Sequence, residues 1–121
     1  MAEAPRMPIE SGCPDPIQYM HPTMRRNYGQ WAFHDRPRPG VLRHTSKHGE
    51  QIWTVRCGTQ RQMDVHTIKK LADIADDFGD GYIRFTIRSN AEFMVDSEDK
   101  VAPLVKALED NGFPVGGTGP S

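Results

Sequence analysis

"GYIRFTIRSNAEFMV", Gly81 to Val95, is the stretch that decides the fold. Its alternation predicts a strand over 82–88 with Ile83, Phe85 and Ile87 on one face and Arg84, Thr86 and Arg88 on the other. After Ser89 and Asn90, "AEFMV" reads as a further strand, with Phe93 and Val95 sharing one face and Glu92 and Met94 the opposite one. Such a pair needs helices against its apolar face, and the arginines then look away from them.

Upstream, "QIWTVRC", Gln51 to Cys57, is a strand whose inward residues are Trp53 and Val55 and whose outward residues are Thr54 and Arg56. Beyond "GTQRQ", Asp64 suits an N-cap. Val65, Ile68, Leu71, Ala72, Ala75 and Phe78 then form the stripe of a helix ending near Gly79. A second helix is predicted from Asp99 to Asn111, with Val101, Leu104, Val105 and Leu108 inward, Pro103 near the first turn and Gly112 after the C-cap.

The order is β-α-β-β-α, followed by "FPVGGTGPS", in which Phe113 to Val115 is the weak start of a fourth strand. The fold class is therefore α+β: a ferredoxin-like βαββα unit with the fourth strand incomplete, preceded by an extended N-terminal arm. A glycine-rich stretch where a pairing strand is due reads as truncation. We place the arm at 1–50 and the half-domain at 51–121.

The first 50 residues hold seven of the ten prolines and four of the five histidines and lack sustained periodicity. "HDRPRPGVL", His34 to Leu42, favours extended backbone. Against simple terminal disorder stand Tyr19, Tyr28, Trp31 and Phe33, which are costly to leave in water and point to docking on a partner or neighbouring domain.

With 121 residues, 36% hydrophobic and 26% charged, this is one ordinary domain or part of one. A formal charge of -1 excludes a globally basic protein, so an anion site must come from local clustering of the 15 Lys and Arg. No apolar run approaches the roughly 18 residues of a membrane span, no secretory h-region is present at the start, and a cytoplasmic location is the expectation. Cys13 and Cys57 lie 44 positions apart, match no zinc or CxxC spacing, and read as free thiols.

The outward face would then carry Arg56, Arg84, Arg88, Thr54, Thr86, Glu92 and Met94. Like charges opposite one another in a sheet repel unless an anion intervenes, and at 4 Å and an effective dielectric near 20 each arginine–carboxylate contact is worth about 4 kcal/mol before desolvation. The rigid guanidinium fork suits carboxylates and oxyanions; the alternative is a solvated face with scattered surface arginines. An RNA-binding sheet of this topology needs aromatics on that face, and only Tyr82 is available, which excludes nucleic acid as partner. His44-x-x-x-His48 has metal-ligand spacing but no third ligand nearby, so no metal site is assigned. "GFPVGGTG" lacks the GK[ST] ending of a phosphate loop and reads as a turn.

"VRCG" at 55–58, followed 28 positions after Arg56 by "RFTIR" at 84–88 and then by Glu92, resembles the siroheme-binding half-domain of sulfite and nitrite reductases. That family carries Arg-x-Thr-x-Arg and a Gln four residues on. The longer stretches "HDRPRPGVL", "RQMDVHTIKKL", "RFTIRSNAEFMV" and "GFPVGGTG" resemble, within it, the N-terminal part of dissimilatory β-type subunits over roughly residues 18 to 119.

The resemblance implies an α2β2 heterotetramer with siroheme coupled to a [4Fe-4S] cluster, catalysing the six-electron interconversion of sulfite and sulfide. It also implies partnership with an α subunit and with a small sulfur-carrier cysteine protein. Siroheme carries eight carboxylates. Position by position, Arg84 and Arg88 match siroheme-carboxylate arginines, with Thr86 between them, and Arg56 matches the arginine that reaches the sulfite oxyanion. Glu92 stands where the family has Gln; a carboxylate beside carboxylates repels unless protonated or paired with an arginine. The cluster cysteines, axial thiolate and substrate lysines would lie beyond Ser121, so this chain alone would not be a working reductase. The expectation of another class is a stand-alone ferredoxin-like module gripping an anionic partner without redox chemistry.

Overall fold

The computed structural model describes residues 19–59, 63–86 and 90–116. Its elements are α1 (Pro22–Arg26), β1 (Trp31–Arg38), β2 (Val41–Ser46), β3 (Gln51–Gly58), α2 (Val65–Phe78), β4 (Ile83–Phe85), β5 (Asn90–Val95) and α3 (Val101–Asp110), with a 3₁₀ turn at Glu98–Lys100 leading into α3. Five strands form one sheet in the order β1-β2-β3-β5-β4, every neighbouring pair antiparallel.

The helices form because their sequences supply both caps and a stripe. Asp64 accepts the Thr67 amide at 2.8 Å and starts α2. Leu71, Ile74 and Ala75 are the residues that α2 buries, whereas Val65, Ile68, Ala72 and Phe78 are exposed. The stripe is thus narrower than the predicted one and centred on Leu71, Ile74 and Ala75, with both ends of the helix exposed. The inward set of α3 is as expected with Ala107 added, and Gly112 follows with φ +85°. These helices pack on the faces of Trp53, Val55, Cys57, Ala91, Phe93 and Val95, and each fully buried large side chain there contributes about 1.5–3 kcal/mol.

The stretch expected to be an extended arm contains a hairpin. Residues 31–38 and 41–46 pair with one another, and β2 pairs with β3 from Val41↔Val55 to Thr45↔Gln51. The sheet is therefore continuous across the boundary placed at 50/51. Pro39–Gly40 makes the two-residue turn, with Gly40 at φ +77°, and Pro37 is accommodated because β1 is an edge strand with one unpaired side. Arg36, Pro37 and Arg38 are all exposed there.

The place beside β3 that a fourth strand would take is shared between two segments. β2 pairs with residues 51–55, and the chain after α3 takes over at the far end: Val115 bridges Cys57, Gly58 N donates to Pro114 O at 2.9 Å, and Gly116 N donates to Arg56 O at 3.3 Å. The two segments meet at Gly40 and Gly116, where a Cβ on Gly40 would lie 2.6 Å from the Gly116 nitrogen. "GFPVGGTG" is in this way partly a turn of close backbone approach; residues 117–121 lie outside the described ones.

β4 departs from expectation in two respects: among the described residues it covers Ile83–Phe85, leaving Tyr82 and Thr86 of the predicted 82–88 outside it, and one of its inward residues is not covered. Phe85 pairs with Ala91 and shares its helix-side face, yet it is 55% exposed, because β4 is the outermost strand and the helices do not reach it. Ile83 packs on the core. Ile87, Arg88 and Ser89 lie outside the described residues.

Candidate anion-binding site

The second face of the sheet is closed at one end and charged at the other. Near the start of β3, α1 lies against the strand, and Ile52 and Met94 are buried apart from the main core. Thr54 is buried between them in the register Thr54↔Met94. Sequence alternation places Met94 and Thr54 on an outward face; the segment 19–30, not predicted to fold back, is what covers that end.

Asp80 holds this segment in place. It receives His21 Nε2–H at 2.7 Å, the Asp96 amide at 3.0 Å and Lys100 Nζ at 2.8 Å, while Lys100 also reaches Asp96 at 2.9 Å. His21 Nδ1 accepts from the Thr23 amide at 3.0 Å, which fixes the tautomer and caps α1. Burial works against the Asp80 charge, but Lys100, His21 and the Asp96 amide outweigh it and hold the carboxyl below the usual range. His21, Asp80 and Asp96 come close enough together to resemble a metal site. Lys100 already occupies both carboxylates, so the group is a closed ion-pair node.

At the other end, strand register brings Arg56, Glu92 and Arg84 into one row across β3, β5 and β4. Glu92 is only 2% exposed and each oxygen serves one arginine. Arg56 donates from Nε and Nη2 to Oε2 at 3.0 and 2.7 Å; Arg84 donates from Nε at 2.8 Å and lies 2.6 Å from the same Oε1 through Nη2. A buried carboxylate is tolerated because two guanidinium edges replace its water. Neither Nη1 has a partner among the described residues, and the two side chains are 32% and 62% exposed. The row thus presents two guanidinium outer edges and a net positive charge, an arrangement that can accept carboxylates or oxyanions.

Of the residues singled out from sequence, Arg56, Arg84 and Glu92 are therefore brought together. Thr86 sits at the end of the β4–β5 hairpin, its amide donating to Asn90 O at 2.8 Å and its hydroxyl accepting from the Asn90 amide at 3.3 Å. Arg88 lies outside the described residues. His44 is on β2 and His48 in the following turn, and neither joins a metal-ligating group among the described residues.

The hairpin adds residues that sequence reasoning did not place on this face. His34 pairs with His44, and His44 with Ile52, so both imidazoles share the face of Arg56; their ring centroids are 5.8 Å apart, and Trp31 lies 5.9 Å from His44. Burial, then His34, push the His44 imidazole below its usual range, so it is neutral at pH 7. The Pro39–Gly40 dipeptide between two alternating runs was the signal for this hairpin. Cys57, next to Arg56, is a buried free thiol pushed up to about 12 by burial.

An antiparallel half-domain with Arg56 and Arg84 aligned on the sheet face opposite α2 and α3 defines the class. The chain belongs to the nitrite/sulfite reductase ferredoxin-like half-domain family, whose model matches residues 44–111, from within β2 to just past α3. Its relatives include the dissimilatory-type sulfite reductase β subunits of Archaeoglobus fulgidus (42% identical over 100 residues), Megalodesulfovibrio gigas (40% over 111) and Nitratidesulfovibrio vulgaris (39% over 109). The alignments cover 82%, 86% and 84% of this chain but 27%, 42% and 29% of those relatives, so the chain spans less than half of their length. Among the described residues, no helix is long and apolar enough to cross a membrane.

Proposed function

We propose that the chain is the N-terminal part of a dissimilatory sulfite reductase β subunit and that its charged row holds siroheme. The observation that carries this reading is the Arg56–Glu92–Arg84 row, whose two outer guanidinium edges suit the carboxylates of an anionic tetrapyrrole. Arg84, with Thr86 and Arg88 that follow it in the sequence, takes the carboxylates. Arg56 joins in cradling the tetrapyrrole and also reaches the sulfite oxyanion, where a fixed cation and its N–H groups stabilise charge as oxygens leave as water.

Siroheme, when bound, supplies an iron coupled to a [4Fe-4S] cluster, through which electrons pass to sulfite in the six-electron interconversion with sulfide. This chain's own part is to bind and orient. The cluster ligands belong to chain outside these 121 residues. The assembly is α2β2 in the cytoplasm, with a small sulfur-carrier cysteine protein as a further partner. Docking of the N-terminal region on the α subunit is supported by Tyr19, Tyr28 and Phe33, which stay exposed after the segment has folded onto its own sheet.

The test is made in the complete enzyme. Changing Arg84 and Arg88 together to Ala lowers siroheme content per tetramer, read from the tetrapyrrole absorbance of purified protein. Full occupancy in an assembled double variant contradicts the reading and favours an anion-binding module without redox chemistry.

A further inference from the structure

Glu92 stands where the related motif has a Gln, and the row explains what a carboxylate does there. Its two oxygens are both consumed by arginine, and almost none of its surface reaches solvent. It has no oxygen left to offer a ligand. What it does instead is fix two cations that would otherwise repel: Arg56 and Arg84 sit on β3 and β4, one strand apart on either side of β5, and Glu92 bridges them in register.

The manner of bridging matters. Both arginines engage Glu92 through the same Nε–Nη2 edge, which leaves both Nη1 atoms without a partner among the described residues. Each guanidinium rotamer is set before any ligand arrives, and less side-chain freedom is lost on binding. Two charges become one net charge, which lowers the self-repulsion of the empty site.

We infer that Glu92 is a positioning residue: it presets the outer edges of Arg56 and Arg84 for an anionic ligand and does not itself touch that ligand. The inference rests on the anionic-tetrapyrrole reading above, and it separates two physical roles. If Glu92 acted only as a negative charge near a negative ligand, removing its charge would strengthen binding. If it positions, removing it weakens binding although the site becomes more cationic.

Two variants of the 121-residue chain decide this, with uroporphyrin, an octacarboxylate porphyrin, as probe. Glu92→Gln is isosteric but loses the charge and can no longer accept on both sides. Glu92→Asp keeps the charge but is one methylene too short to reach both arginines. Backbone ¹⁵N–¹H spectra establish that each variant is folded. The expected result is that both bind uroporphyrin about tenfold more weakly than the parent, by fluorescence titration, the scale set by losing a charged hydrogen bond. The Arg56 and Arg84 Nε–H signals, protected in the parent before any ligand is added, exchange faster in both variants.

Equal or tighter binding by Glu92→Gln, or parental binding by Glu92→Asp, overturns the inference. A parent chain that does not take up uroporphyrin overturns the tetrapyrrole reading instead. In that case the Nε–H signals still decide positioning: protection lost in both variants supports it, and protection unchanged contradicts it.

Discussion

Two carboxylates lie near opposite ends of β5, and the difference between them separates holding the fold from holding a ligand. Asp80, bonded to the amide just past the strand's end, is met from three directions by His21, Lys100 and Asp96. Lys100 turns to two carboxylates and His21 is buried, so every charge in that node is answered from within the chain. Glu92, inside the strand, is also fully answered, but its two partners are not. Arg56 and Arg84 keep an outer edge each, and they are the more exposed members of their pairs. A saturated node stabilises; a half-saturated one can bind.

The largest effect on stability is therefore expected at the closed node. Asp80→Ala leaves the buried His21 N–H and the Asp96 amide without acceptors, and should lower unfolding free energy by about 3 kcal/mol in urea titration. Glu92→Ala frees two arginines that can turn to water, and should cost less, about 1–2 kcal/mol. A reversed ranking breaks the comparison.

Next comes acid sensitivity. Because the folded-state carboxyl of Asp80 sits below its ordinary value, the stability it contributes is present above the unfolded pKa of about 4 and is lost as pH falls through the lower folded value. The parent should lose stability below about pH 4 more steeply than Asp80→Asn, followed by circular dichroism at fixed urea. Identical acid limbs would mean that the node contributes nothing.

A smaller effect sharpens the other end. Gly40→Ala must place a Cβ against Gly116 at positive φ, disturbing the junction where β3 passes from one partner segment to the other. A loss of about 1–2 kcal/mol is expected, and because Arg56 shares two backbone hydrogen bonds with these glycines, iodoacetamide labelling of Cys57, mapped by peptide mass spectrometry, should accelerate. The smallest effect is at the exposed Lys106–Asp110 pair on α3, where Lys106→Ala should leave the unfolding midpoint within error.

Much of this was readable from residue order, and the gaps have physical causes. Asp64 capping α2, the inward Phe93 and Val95, and the outward Arg84 of β4 follow from spacing alone. Proline blocked the reading of 31–46: Pro37 and Pro39 argue against strand, yet an edge strand needs no donor at one side and Pro39–Gly40 is a turn. The burial of Glu92 was hidden because alternation assigns a face, whereas the covering atoms come from the arginines on neighbouring strands. Phe85 shows the converse, an inward face that the helices do not reach. The Asp80 node was invisible because His21 and Asp80 are 59 positions apart and no periodicity links them.

The contrast between the two carboxylates is tested most directly by ¹⁵N-detected spectra of arginine and lysine side chains while uroporphyrin is added to the 121-residue chain. The Arg56 and Arg84 guanidinium signals should shift together with saturation, while Lys100 Nζ and the Asp96 amide stay in place. Shifts at Lys100 and Asp96, with Arg56 and Arg84 unmoved, would contradict the account.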